Sequence, residues 1–138
     1  EVDAEVLEIK ARAIAGRQTQ GSFAVADVGT VTNADAIPQA ADELIRLEGI
    51  TAVVVIGERE GTIHLSGRSR DDRVHMGRAL EQATADAPTA SAGGHARMGG
   101  GQIAPQTEVT DGGETDREPA MNRDTLVEEI FAALSGDV

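Results

Sequence analysis

Cysteine, tryptophan and tyrosine are absent from the 138 residues, and Phe23 and Phe131 are the only aromatics. Without cysteine there are no disulfides, no thiolate metal sites and no cysteine nucleophile. Without aromatics, the core must be built from Val, Ile, Leu, Ala and Met. Lysine is almost missing too: Lys10 stands alone beside eleven arginines. No apolar run approaches the ~20 residues of a membrane span. No basic-then-apolar leader opens the chain. The first residue is Glu1 rather than Met, which reads as an excised piece of a longer protein. The length fits one domain.

The net charge is −12 with a pI near 4.5. Phosphate contact is mainly electrostatic, so such a balance argues against a non-specific binder of long nucleic acid. A surface rich in Asp and Glu and poor in Lys points to a halophilic, cytoplasmic protein. An ordinary acidic cytosolic domain is the alternative. The charge is uneven. Residues 1–58 carry ten acids against four bases, and residues 98–138 carry nine against two. Residues 59–97 carry six arginines against five acids, the one stretch that does not repel anions. Either an anionic ligand binds there, or those arginines pair with Asp71, Asp72, Glu81 and Asp86.

Periodicity predicts the elements. Val2, Val6, Ile9 and Ala13, widened by Leu7 and Ile14, mark an amphipathic helix over 2–17. Residues 23–31 read as a strand with Phe23, Val25 and Val28 inward. Asn33 or Asp35 caps a second helix whose buried face is Ile37, Ala41, Leu44 and Ile45. Residues 51–57 are almost wholly apolar and β-branched, the pattern of a strand buried on both faces. Residues 62–69 alternate: Ile63 and Leu65 face one way, Thr62, His64 and Ser66 the other. Val74, Gly77, Ala79 and Leu80 suggest a third helix, running to about Thr84. Residues 87–101 are rich in Gly, Ala and Ser, and 102–104 read as a short last strand. Asn122 or Asp124 caps a last helix with Val127, Ile130, Phe131 and Leu134 on its apolar face. The order implies a single α/β domain: a mixed β-sheet of about four to five strands with helices packed on it. By segment, 1–20 is a connecting helix, 21–104 the main domain, 105–120 an acidic linker and 121–138 a terminal helix.

Two segments can carry chemistry. In Ser66-Gly67-Arg68-Ser69-Arg70, Arg68 and Arg70 share a strand face opposite Ser69. Their guanidinium groups suit bidentate phosphate contact, or pair with Asp71 and Asp72. In Gly93-Gly94-His95-Ala96-Arg97-Met98-Gly99-Gly100-Gly101, five of nine residues are glycine. Such a run either offers backbone N–H groups to an anion or forms a close-packed turn. His64, His75 and His95 lie far apart in the sequence without ligand spacing, so no metal site is expected. Asp71-Asp72 reads as a loop and helix cap.

Together these segments resemble the C-terminal, DHH-associated domain of DHH-type phosphoesterases. That group includes RecJ-like exonucleases, nanoRNases active on adenosine bisphosphate, and cyclic-dinucleotide phosphodiesterases. The resemblance covers residues 21–104. It implies that Arg68, Ser69 and Arg70 hold a substrate phosphate from the strand end, while Gly93, Gly94 and His95 close around a nucleotide. It further implies a short nucleotide or single-stranded nucleic acid end as ligand. The catalytic part would be an N-terminal domain of the same chain carrying divalent ions, typically Mn²⁺. This fragment alone would then be non-catalytic and hold no cofactor. The competing readings are a nucleic-acid module of the kind found in alanyl-tRNA synthetases, and a homodimerisation domain.

Overall fold

The computed structural model describes residues 1–109, 115–118 and 121–136. The helices are α1 (Ala4–Gly16), α2 (Ala36–Leu44), α3 (Met76–Ala83) and α4 (Arg123–Leu134). The main strands are β1 (Gln18–Gln20), β2 (Phe23–Thr30), β3 (Ala52–Arg59), β4 (Thr62–Ser69), β5 (Ala90–Gly94) and β6 (Met98–Ile103). They form one six-stranded sheet in the order β1-β2-β3-β4-β6-β5. Only β2 and β3 run parallel, joined through α2; every other pairing is antiparallel. The single mixed-sheet α/β domain is as expected, with six strands instead of four to five.

The additional strands come from two segments with no hydrophobic period. Gln18–Gln20 is a short polar edge strand. The glycine-rich segment is a hairpin, with Gly99 and Gly100 in register with Gly67 and Ser66. Glycine disfavours strands for want of a side chain to pack, so composition alone suggests a loop here. Within 105–120, Gln106–Val109 (β7) pairs antiparallel with Thr115–Glu118 (β8). Residues 110–114, 119, 120, 137 and 138, which belong to the expected linker and terminal helix, lie outside the described residues.

The sheet separates two cores. Val53 and Val55 face α1 and α2, where Ile9, Ile37 and Leu44 complete the packing. Val54 and Ile56 face α3 and α4, meeting Leu65, Met76, Leu80, Leu126 and Ile130. This explains the unbroken apolar run in β3: both faces are covered, and each buried Val or Ile contributes about 1.5–3 kcal/mol. In β2 the expected inward set divides. Phe23 and Val25 join the α3/α4 core, while Val28 joins Ala24 and Ala26 in the other. On α1 only Val6, Ile9 and Ala13 are buried; Leu7 remains 55% exposed, so the buried stripe is narrower than the sequence suggested.

α3 meets the β5–β6 hairpin more closely than side chains permit. A Cβ on Gly77 would lie 2.3 Å from the Gly94 carbonyl oxygen. Gly94 itself has φ +142°, and its added Cβ would sit 2.4 Å from the Met98 carbonyl oxygen. The hairpin loop also caps α3: Met76 N–H donates to the Ala96 carbonyl and Gly77 N–H to the His95 carbonyl, each at 3.0 Å. The His75 side chain adds a third cap, its Nδ1 accepting from Arg78 N–H.

Gly77→Ala should therefore destabilise the fold. Alanine gains roughly 1 kcal/mol of helix propensity over glycine. A backbone-on-backbone clash of this kind costs about 1–3 kcal/mol and lies toward the upper end. Urea denaturation should show a net loss of about 1–2 kcal/mol; an unchanged or raised midpoint would contradict this packing.

Candidate functional site

Past β3 the coverage becomes one-sided. α3 backs β4, β6 and β5, with α4 packed on α3 and β2, but α2 reaches only part of β4 on the other face. The uncovered face is a groove of about 740 Å³. Its floor is Ser66 and His64 from β4, Gly100 and Gln102 from β6, and Ser91 and Gly93 from β5. Its wall is the start of α2, with Asp35, Ile37 and Pro38. The alternation seen in 62–69 thus marks a strand with one core face and one open face.

The glycine run divides between the two faces. Gly94, Gly99 and Gly101 take the close-packed role: added Cβ atoms there meet Met98, Leu80 and Ala92 at 2.4, 3.1 and 2.7 Å respectively. Gly93 and Gly100 line the groove, and a Cβ on Gly100 would meet nothing nearer than 3.4 Å. The loop between the strands is not an open anion nest. His95 N–H donates to the Met98 carbonyl at 2.9 Å, and Arg97 N–H to His95 Nδ1 at 3.3 Å. With Nδ1 accepting, the proton of the neutral His95 ring is on Nε2, a donor on an exposed side chain.

Arg68 sits where β4 passes this loop, in register with Met98. Its side chain is only 12% exposed. Nε donates to Asp42 Oδ1 at 2.7 Å and Nη1 to the Gly67 carbonyl at 2.9 Å. Nη2 has no partner among the described residues. The fold therefore places Arg68 and the His95 loop at one end of the sheet. Arg70 reaches the α2 side of the sheet, like Arg68, but its guanidinium is spent on the Ile50 carbonyl, through Nε at 2.8 Å, and on that of Leu47. Ser69 is 5% exposed and faces the other way. Its hydroxyl donates to the Val74 carbonyl and accepts from Asp71 N–H, both at 3.1 Å. Ser69 and Arg70 thus hold the turn after β4, Gly93 lines the groove and Gly94 packs against α3, while Arg68 and the His95 loop lie beyond the groove's lining at one end of the sheet.

Sequence reasoning did not select Asp35, Ser66, Ser91 or Gln102 for the site, and assigned His64 only to the surface. The alternation of β4 was the available signal. His64 is held below its ordinary pKa, first by burial and then by the positive Arg59, so it is neutral at pH 7. Among the described residues, no three of His, Asp or Glu converge as a metal site. No helix there is long and apolar enough to cross a membrane.

The family model for the DHHA1 domain matches residues 20–114. The chain belongs to the DHHA1 domain family. DHHA1 domains are associated with DHH phosphoesterases and with nucleotide or nucleic-acid binding. An uncharacterized protein of Methanocaldococcus jannaschii is 40% identical over 84 residues, covering 60% of this chain and 18% of that protein. This DHHA1 chain thus spans under a fifth of its curated relative. Two solved structures resemble it in fold. The C-Ala domain of Aquifex aeolicus alanyl-tRNA synthetase has a TM-score of 0.61 at 15% identity, covering 87% of this chain and 98% of that one. An exopolyphosphatase-related protein from Bacteroides fragilis has a TM-score of 0.64 at 12% identity, covering 99% of this chain and 36% of that one.

Below the groove end of this DHHA1 domain, Asp71 ties the post-β4 turn. It accepts from Arg73 Nε and Nη2 at 3.0 and 2.8 Å, from Arg73 N–H at 3.0 Å and from Thr51 Oγ1 at 2.8 Å. The Arg73 side chain and backbone bonds hold its carboxyl far below the usual range, with Thr51 assisting. A depressed folded pKa stabilises above the unfolded value and loses that contribution as pH falls toward the folded one. The stability advantage of the wild type over Asp71→Asn should be full above roughly pH 5 and shrink steadily below about pH 4. Urea titrations from pH 6 to 2 would show this; a constant difference would refute it.

Proposed function

We propose that this chain is the substrate-binding domain of a metal-dependent DHH phosphoesterase. It would hold a short nucleotide or single-stranded nucleic acid end against an N-terminal catalytic domain of the same polypeptide. The observation that carries this reading is the glycine-floored groove, open on the face away from α3, with Arg68 and the His95 loop beyond one end of its lining by strand register. A volume of about 740 Å³ falls within the roughly 300–1,000 Å³ of small-ligand sites.

The roles follow from the chemistry of each group. Arg68, kept in orientation by Asp42, offers its free Nη2 to a phosphate oxygen. His95 offers Nε2–H from the loop. Gly93 and Gly100 let the ligand approach the peptide planes. Ser69 and Arg70 act indirectly, by fixing the turn that ends β4. Hydrolysis is assigned in this reading to the proposed catalytic domain and its Mn²⁺ ions; among the described residues no three of His, Asp or Glu converge. The acidic surface fits a cytoplasm of high ionic strength.

The test is an amide-shift NMR titration with a 5′-phosphorylated dinucleotide, in enough salt to keep an acidic fold compact. Shifts should concentrate at Ser66, Arg68, Gly93, His95 and Gly100. Hydrogen bonds to a charged group contribute about 1.5–3 kcal/mol, so Arg68→Ala should weaken binding by about tenfold or more. Gly100→Val should block the groove while leaving stability within about 1 kcal/mol, since valine suits a strand and its Cβ would make only ordinary contact with the Leu65 carbonyl oxygen at 3.4 Å. Wild-type affinity in both variants would overturn the reading.

A further inference from the structure

The two ends of the groove differ in chemistry. Beside Arg68 there is a cation. At the start of α2 the groove is lined by the Asp35 carboxylate and by no lysine or arginine. A phosphate is disfavoured there, and a neutral group bearing N–H donors is favoured.

Asp35 is placed as an N-cap but does not cap. An N-cap aspartate ordinarily accepts from the backbone two or three residues on. Here its side chain makes no cap hydrogen bond. Ala36 and Ile37 N–H donate to the Asn33 and Ala34 carbonyls at 3.2 and 3.1 Å, and Pro38 has no N–H. Asn33 Oδ1 accepts from Asp35 N–H at 3.0 Å. The helix start is thus served without the Asp35 carboxylate. Across the groove Ser66 is 91% buried, and its hydroxyl has no hydrogen-bond partner among the described residues. The side chains of His64, Ser91 and Gln102 beside it also have none among the described residues. These polar groups reach solvent at the groove surface, since no buried side-chain polar atom among the described residues lacks a partner, so they are free to bond a ligand along one wall and the floor.

We propose that the α2 end of the groove is a base-reading subsite that selects nucleobases carrying an exocyclic amino group, through the Asp35 carboxylate. This rests on the nucleotide-binding reading above and adds orientation and selectivity to it. The phosphate lies toward Arg68 and the base toward Asp35. An ionised carboxylate only accepts, so it takes the N4 amino group of cytosine and repels the O4 carbonyl of uracil at the same position. Neutral His64 and Gln102 each have a donor and an acceptor and tolerate either edge, which leaves Asp35 as the discriminating group. Ile37 and Pro38 form the apolar wall. Both phenylalanines belong to the α3/α4 side of the sheet, so the base packs on the Pro38 ring and glycine peptides instead of an aromatic ring.

The experiment compares pCpC with pUpU, which differ in this edge at nearly constant size, by the same NMR titration. The wild type should bind pCpC about fivefold tighter or more. Asp35→Asn presents a donor beside the acceptor and should bring the two within about twofold. Its unperturbed amide spectrum away from the groove would confirm that the fold is intact. Arg68→Ala should weaken both ligands and preserve their ratio. Equal wild-type affinities, or an unchanged ratio in Asp35→Asn, would overturn the subsite while leaving the binding reading intact. Absence of binding by either dinucleotide would overturn both.

Discussion

The contact between α3 and the β5–β6 hairpin sets the position of the groove floor. Gly77 lies against Gly94, and Gly99 lies against Gly77 and Leu80, with no room for a Cβ at the first two. The same loop accepts the first N–H groups of α3, and its Arg97 carbonyl accepts from Ser69 N–H at 2.9 Å. Helix, loop and the end of β4 therefore move as one piece. β6 is also hydrogen-bonded along β4, so any displacement of α3 reaches the opposite face of the sheet. Packing of this density transmits small changes instead of absorbing them.

The alternation of a strand lets one glycine run do two unlike jobs. Residues i and i+2 share a face. Gly99 and Gly101 face the helix, while Gly100 between them faces the groove. A side chain at Gly99 would push the sheet off α3, and one at Gly101 would collide with Ala92 of β5; one at Gly100 would stand in the groove. Composition suggested a choice between a close-packed turn and a ligand cradle. The fold resolves it residue by residue, with packing on one face and an open floor on the other.

What the sequence revealed, and what it did not, follows from which residues carry their own pattern. Val53–Ile56 is unbroken because both faces are covered, and Ile63/Leu65 alternate with His64/Ser66 because one face is not. Both were readable. The strands through Gly93–Gly94 and Gly99–Gly101 were not, since glycine has no side chain from which a period can be read. The roles of Ser69 and Arg70 were hidden for another reason. Their partners, Val74 and Ile50, lie at sequence separations of 5 and 20, and nothing local states that those carbonyls need donors. Asp35 was legible as a cap candidate, but only the geometry of Asn33 shows that its carboxylate is left free.

Arg68 works within an opposing field. The chain carries −12 overall, so an anionic ligand is repelled at long range and attracted only near the guanidinium. Salt screens these two effects unequally. At physiological ionic strength the screening length is about 8 Å, which removes most of the repulsion from distant carboxylates. The contact itself lies in a partly buried setting, where screening is weaker. If Arg68 takes a phosphate as proposed, moderate salt should help binding, opposite in sign to a basic nucleic-acid binder, whose affinity falls as salt rises because counterion release then gains less. The Asp42 pairing fits the same logic. An isolated surface ion pair contributes at most about 1 kcal/mol, too little to be its main consequence. Its larger effect is to hold the Arg68 guanidinium in one orientation, so that in the proposed role less rotamer freedom would be lost on binding.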